Sequence, residues 1–169
     1  MRVPTHAFRS RYSTFVAAGV VTIAALVPLA TPTVASAKAT SCLKVTIAQV
    51  SSAIGVKATA VSSISRGKVT MCSYTVGSDT SAVSFEVVTS STMASFKAGM
   101  NFAKKVGQAP KTDTKFSPYP AFSTSIKSAA YHYTTVSVTV LKGSKEVQVV
   151  ANLSLAKVEA VTKVVLSKV

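Results

Sequence analysis

The chain has 169 residues, 48% of them hydrophobic, with 19 Lys+Arg against 5 Asp+Glu and a formal net charge of +14. Five carboxylates, two histidines and two cysteines are too few to furnish the three or four converging ligands of a metal centre, so no metal is expected. No Gly-rich phosphate loop occurs, and no cofactor is expected either.

Arg2, Arg9 and Arg11 form a positive start, and residues 15–29 that follow are apolar and uncharged. Ala35-Ser36-Ala37 then supplies the small-x-small pattern of a signal peptidase site, with Ala35 and Ala37 in the shallow pockets. The reading is a signal peptide at 1–37, cut after Ala37, and a single secreted α+β domain at 38–169. An uncleaved anchor is the alternative, but an apolar run of about 15 residues falls short of the roughly 20 needed to span a bilayer as a helix. A lipid-bearing Cys42 is another alternative, weakened because Ala39-Thr40-Ser41 stands before it, well past the apolar core.

The segment 38–169 keeps 16 Lys+Arg against five carboxylates, and only Arg66 of the 16 is arginine. Lysine is a hydrated point charge suited to diffuse anionic surfaces, whereas arginine suits bidentate recognition. The composition therefore points to loose attraction rather than sequence-specific readout of a nucleic acid. The same lysines also serve simply to keep an exported protein in solution.

Thr46-Ile47-Ala48-Gln49 reads as a capping box opening a short helix with Ile47, Val50 and Ile54 at helical spacing and Gly55 as its left-handed stop. Residues 56–63 and 69–76 read as strands around a turn at 65–68, with Cys72, Tyr74 and Val76 on one face. Residues 81–89 follow as a half-buried strand, Val83, Phe85 and Val87 alternating with Ser84 and Glu86. Ser91 or Thr92 starts a second helix whose stripe is Met93, Phe96, Met100 and Ala103, ending at Gly107.

Residues 107–120 are the one long irregular stretch, and loops of that length in a small domain are often functional. Positive charge and aromatic rings interleave there, which makes Lys111, Lys115, Phe116 and Tyr119 the candidate binding residues. Strands are expected at 121–127, 130–141 and 146–153, the last two joined by the Lys142-Gly143-Ser144-Lys145 turn. Ser154 caps a final helix with Leu155, Val158, Val161, Val165 and Val169 on its buried side. The fold class is therefore α+β, an antiparallel sheet covered on one face by helices, in the order α-β-β-β-α-β-β-β-α.

Cys42 and Cys72 are the only cysteines, and in an exported chain such a pair reads as a disulfide. A metal site would need more ligands, and a redox pair usually sits as Cys-x-x-Cys.

Several motifs resemble a family of actinobacterial extracytoplasmic domains, some lipoproteins of unknown function and some sensor domains of membrane kinases, with a PsbP-like fold. They are Ser41-Cys42-Leu43 leading to a helix that ends Ala53-Ile54-Gly55, then Met71-Cys72-Ser73-Tyr74 in place of a Cys-x-Tyr strand, and Val140-Leu141-Lys142-Gly143 as strand and hairpin. The chain departs from the family at Ser117-Pro118-Tyr119-Pro120, where relatives carry a Gly-rich turn, and in lacking a lipobox. The resemblance implies a fold and an extracytoplasmic compartment, and no ligand.

Catalysis is not expected. His132 is the only histidine after residue 37, the thiols are committed to a disulfide, and Asp79, Glu86, Asp113, Glu146 and Glu159 are scattered along the chain. A serine nucleophile would need His132 held by a third group. The expected function is a non-catalytic binding or sensor-type domain, secreted or held at the cell envelope. Its expected partners are an anionic cell-wall polymer, a lipid headgroup or another envelope protein. The competing readings are a secreted hydrolase built around His132 and a charge-driven extracellular nucleic-acid binder.

Overall fold

The computed structural model describes residues 39–77, 82–128 and 133–169. The expected leader at 1–37 with its cleavage residues Ala35 and Ala37, the turn residue Asp79, and His132 lie outside the described residues.

Local sequence accounts for the first elements. β1 (Ser41–Cys42) and β2 (Val45–Thr46) pair as a two-residue hairpin. α1 (Ile47–Ile54) opens on a reciprocal box: the Thr46 Oγ1 accepts from the Gln49 N–H at 3.2 Å, and Gln49 Oε1 accepts from the Thr46 N–H at 3.0 Å. Gly55, at φ +67°, ends α1 by donating its N–H to the Ser51 carbonyl.

β3 (Ala58–Arg66), β4 (Val69–Val76) and β5 (Ala82–Thr89) follow as antiparallel neighbours. α2 (Met93–Lys105) starts on a Thr92–Ser95 box and carries Lys104 and Lys105 in its last turn, where cations complement the helix dipole. Within the stretch expected to be irregular, β6 (Lys111–Thr112) and a 3₁₀ turn (Thr114–Phe116) form. β7 (Ala121–Lys127), β8 (Thr134–Lys142), β9 (Lys145–Ala151) and α3 (Leu155–Leu166) complete the described elements.

Among the described residues the larger sheet has seven strands, all antiparallel, in the order β3-β4-β5-β9-β8-β7-β6. The strand at the middle of the sheet, β9, is next to last in the chain order of elements. It fills the gap left when α2 carries the chain from β5 to the far edge.

Strand register sorts the side chains onto two faces. One face presents Cys72, Tyr74, Val83, Phe85, Val87, Val136, Val138, Val140, Val147, Val149 and Ala151, all buried in the main core. α1 and α3 pack on this face, supplying Val50, Ile54, Val158, Val161 and Val165. This is the expected α+β arrangement, with an antiparallel sheet, a helix-covered face and one disulfide.

The disulfide Cys42–Cys72 spans 6.0 Å between Cα atoms and ties the β1–β2 hairpin to β4. Tyr74 secures the same hairpin: fully buried and stacked on Phe85 at 5.9 Å, it donates its hydroxyl to the Val45 carbonyl at 2.7 Å. Burial raises the Tyr74 pKa, so the phenol stays protonated as a donor.

α2 stands apart from the helix layer. Its Phe96 and Met100 pack on Phe122 and Leu141 of the opposite face, with Phe96 edge-on to Phe122 at 5.2 Å. The register explains this, since Phe122 pairs with Thr139 while its neighbour Ala121 pairs with the core residue Val140. Two stripe residues differ from the sequence reading, because Met93 and Leu155 each begin their helix beyond its sheet support and stay exposed. Ser154 precedes α3 in extended geometry without a side-chain cap bond.

Candidate functional site

The stretch 107–120 is held down rather than free. Phe116 lies in the main core at 4% exposure. Lys115 donates to both carboxylate oxygens of Glu159 on α3, at 2.9 and 2.6 Å, and that hydrogen bond raises the Lys115 pKa. Asp113 caps the 3₁₀ turn by accepting from the Lys115 N–H at 3.0 Å. Of the four residues singled out in the sequence, Phe116 and Lys115 thus serve packing and an internal ion pair. Lys111 on β6 and Tyr119 remain at the surface.

A second cluster lies on the open face. Glu86 and Glu146 stand diagonally on the adjacent strands β5 and β9, two residues apart in register, since Glu86 pairs with Gln148 and Glu146 with Val88. Burial raises the pKa of both; the charge of Glu146 adds to the rise at Glu86, and a hydrogen bond with Ser91 opposes it at Glu146. Glu86 Oε2 is a buried oxygen without a hydrogen-bond partner. Among the described residues, no three His, Cys, Asp or Glu side chains come together as a metal site.

The basic site is elsewhere, at the end of the helix-covered face. A water-open depression of about 200 Å³ is lined by Leu43, Lys44, Thr70, Val87, Thr89, Lys145, Lys168 and Val169. Its floor follows from register: Thr70 of β4 pairs with Val87 of β5, and Thr89 of β5 with Lys145 of β9. One wall is the turn of the β1–β2 hairpin, and the other is the chain just beyond α3.

The turn is unusual. Leu43 and Lys44 both have left-handed backbone, φ 50° and 62°, as a two-residue type I′ hairpin requires, yet neither is Gly, Asn or Asp. Each such residue costs on the order of 1 kcal/mol. The turn keeps this shape because both flanks are anchored, Cys42 by the disulfide and Val45 by Tyr74. The opposite wall is set by Lys142, which donates to the Leu166 carbonyl at 2.8 Å and to a main-chain oxygen of Val169 at 2.9 Å and so caps the end of α3.

Lys44, Lys145 and Lys168 therefore line one depression together with Thr70, Thr89 and the apolar residues Leu43, Val87 and Val169. The described Asp and Glu side chains lie in other places: Glu86 and Glu146 on the open face, Asp113 and Glu159 around Lys115. Among the described residues, Lys115–Glu159 is the only ion pair. Chemically, a cluster of lysines without a facing carboxylate side chain can attract an anion. Sequence reasoning missed the site because its residues are far apart in the chain and the 43–44 turn lacks the usual turn residues. The only signal was the lysine excess itself.

Comparison with protein-family models, curated proteins and solved structures finds no match to this chain. Among the described residues, no helix is long and apolar enough to cross a membrane.

Proposed function

We propose that this chain is a non-catalytic binding domain that works outside the cytoplasm and holds anionic envelope polymers through the depression between the β1–β2 turn and the end of α3. The observation that carries the reading is the meeting of Lys44, Lys145 and Lys168 around one cavity with no acidic side chain in its lining. The leader pattern of the sequence and the disulfide support an extracytoplasmic setting, as does the resemblance to extracytoplasmic domains.

A repeating phosphate or carboxylate polymer suits the site better than a single small ligand. The depression is shallow and open, and 15 lysines on the segment after residue 37 extend the attraction beyond it. Lysine contacts of this kind are screened by salt, with a Debye length of about 8 Å at physiological ionic strength. Co-sedimentation with isolated cell wall tests the reading: retention falls steeply as salt rises. Retention that is absent, or that ignores salt, overturns it.

A further inference from the structure

The larger sheet ends in two edges that are treated very differently. At one edge, β6 has two residues, with Pro110 just before it and Pro118 and Pro120 shortly after. Short strands and prolines are the ordinary means of keeping an edge from pairing with another chain. At the other edge, β3 has nine residues, seven of them exposed, no proline and a single charge, Arg66. Among the described residues it pairs with β4 alone, and its one irregularity falls at its start, between Ala58 and Ala60. Ile64, at 59% exposure, is the most exposed of the large apolar side chains among the described residues, and it sits toward the end of β3 beside Met71.

Among the described residues, the charges flanking this strand have one sign. Residues 38–78 contain no Asp or Glu, while Lys57, Arg66 and Lys68 flank the strand. A second copy laid antiparallel along β3 and centred on Ser62 would bring Arg66 beside Ala58 and Lys57 of its mate, setting like charges against each other between two strongly basic molecules. An extended segment carrying Asp or Glu meets no such penalty.

We propose that β3 is a docking edge that accepts an extended, acidic, β-branched segment of a partner protein as an eighth strand. The partner's main chain would complete the hydrogen bonds that β3 leaves open on its outer side. Its apolar side chains would lie beside Val61 on the helix-covered face and beside Ile64 on the open face, and its carboxylates beside Lys57, Arg66 and Lys68. This edge shares no lining residue with the basic depression, although Ser65 and Lys68 bond to its Thr70 and Thr89, so protection of amides along β3 is what separates the two sites.

The test is selection of a displayed library of random ten-residue peptides on the disulfide-bonded protein, followed by hydrogen exchange with the selected peptides as synthetic probes. The expected peptides combine β-branched residues with Asp or Glu and slow exchange of amides within 59–65 at least tenfold. N-methylating their backbone weakens binding at least tenfold while leaving charge and side chains in place. Peptides without acidic residues, protection outside β3, or equal binding after N-methylation overturn the proposal. Concentration-dependent protection of β3 in the protein alone also overturns it, in favour of a second copy as the occupant.

Discussion

Val149 and Val150 are neighbours on β9, and they belong to different environments. Val149 is fully buried between Phe85 and Val138 under the helix layer. Val150 is half-buried on the opposite face, in a row that runs Thr124, Ser137, Val150, Ser84, Ser73, Ser62 across six strands. That row satisfies itself by hydroxyl pairs, Ser73 with Ser84 at 3.0 Å and Thr124 with Ser137 at 2.7 Å. The difference teaches where this fold keeps its stability: one face is glued by apolar burial and a disulfide, and the other is wet, held by small polar pairs, with α2 resting on one corner.

The comparison breaks first if the disulfide proves dispensable. Cys42→Ser with Cys72→Ser should cost roughly 3–4 kcal/mol in the chain-entropy view of a loop of about 30 residues, read as a lower urea midpoint. The substitution also releases one anchor of the 43–44 turn, so exchange of amides 42–45 should speed up more than exchange in α2.

Next in size is the valine pair. Val149→Ala should cost about 2 kcal/mol through lost burial and the cavity left behind, and Val150→Ala under about 1 kcal/mol. Equal losses in urea unfolding would erase the distinction between the faces.

Tyr74→Phe comes third. It strands the buried Val45 carbonyl and should cost about 1–2 kcal/mol with the ring stacking on Phe85 retained. Near-ultraviolet dichroism and urea unfolding together read both parts.

The smallest effect comes from the wet face. Glu86 and Glu146 have folded pKa values above their unfolded ones, so each favours the folded state below the unfolded value and loses that contribution as pH rises through the folded one. Stability should therefore decline from about pH 4.5 upward across that window. Glu86→Gln removes part of the decline and raises stability at neutral pH by about 0.5–1 kcal/mol, discounted for the partial exposure of the site. A flat difference between wild type and variant from pH 4 to pH 8 would contradict it.

What was legible in the sequence follows the same division. Thr46, Gln49 and Gly55 mark both ends of α1 because capping is a contact within a few residues. The alternations at 83–87 and 147–151 mark strands because each has one dry face. The pairing of Cys42 with Cys72 was legible because no other cysteine competes. The side of the sheet on which α2 lies was not legible, since it depends on Phe122 and Leu141 facing away from the main core. The ion pair of Lys115 with Glu159 links residues 44 positions apart, so no local pattern announced it. The basic depression was hidden for the same reason, because residues 44, 145 and 168 meet only when the hairpin turn, the β8–β9 turn and the end of α3 come to one place.

The central claim is that these three lysines act together as a site, and not merely as part of a basic surface. Its direct measurement is the affinity for poly(glycerol phosphate) of the wild type, of Lys44→Gln/Lys145→Gln/Lys168→Gln, and of Lys97→Gln/Lys104→Gln/Lys105→Gln on α2, all at one salt concentration. The two variants lose the same net charge. The account predicts at least a tenfold loss for the first and at most twofold for the second, and equal losses in the two variants would contradict it.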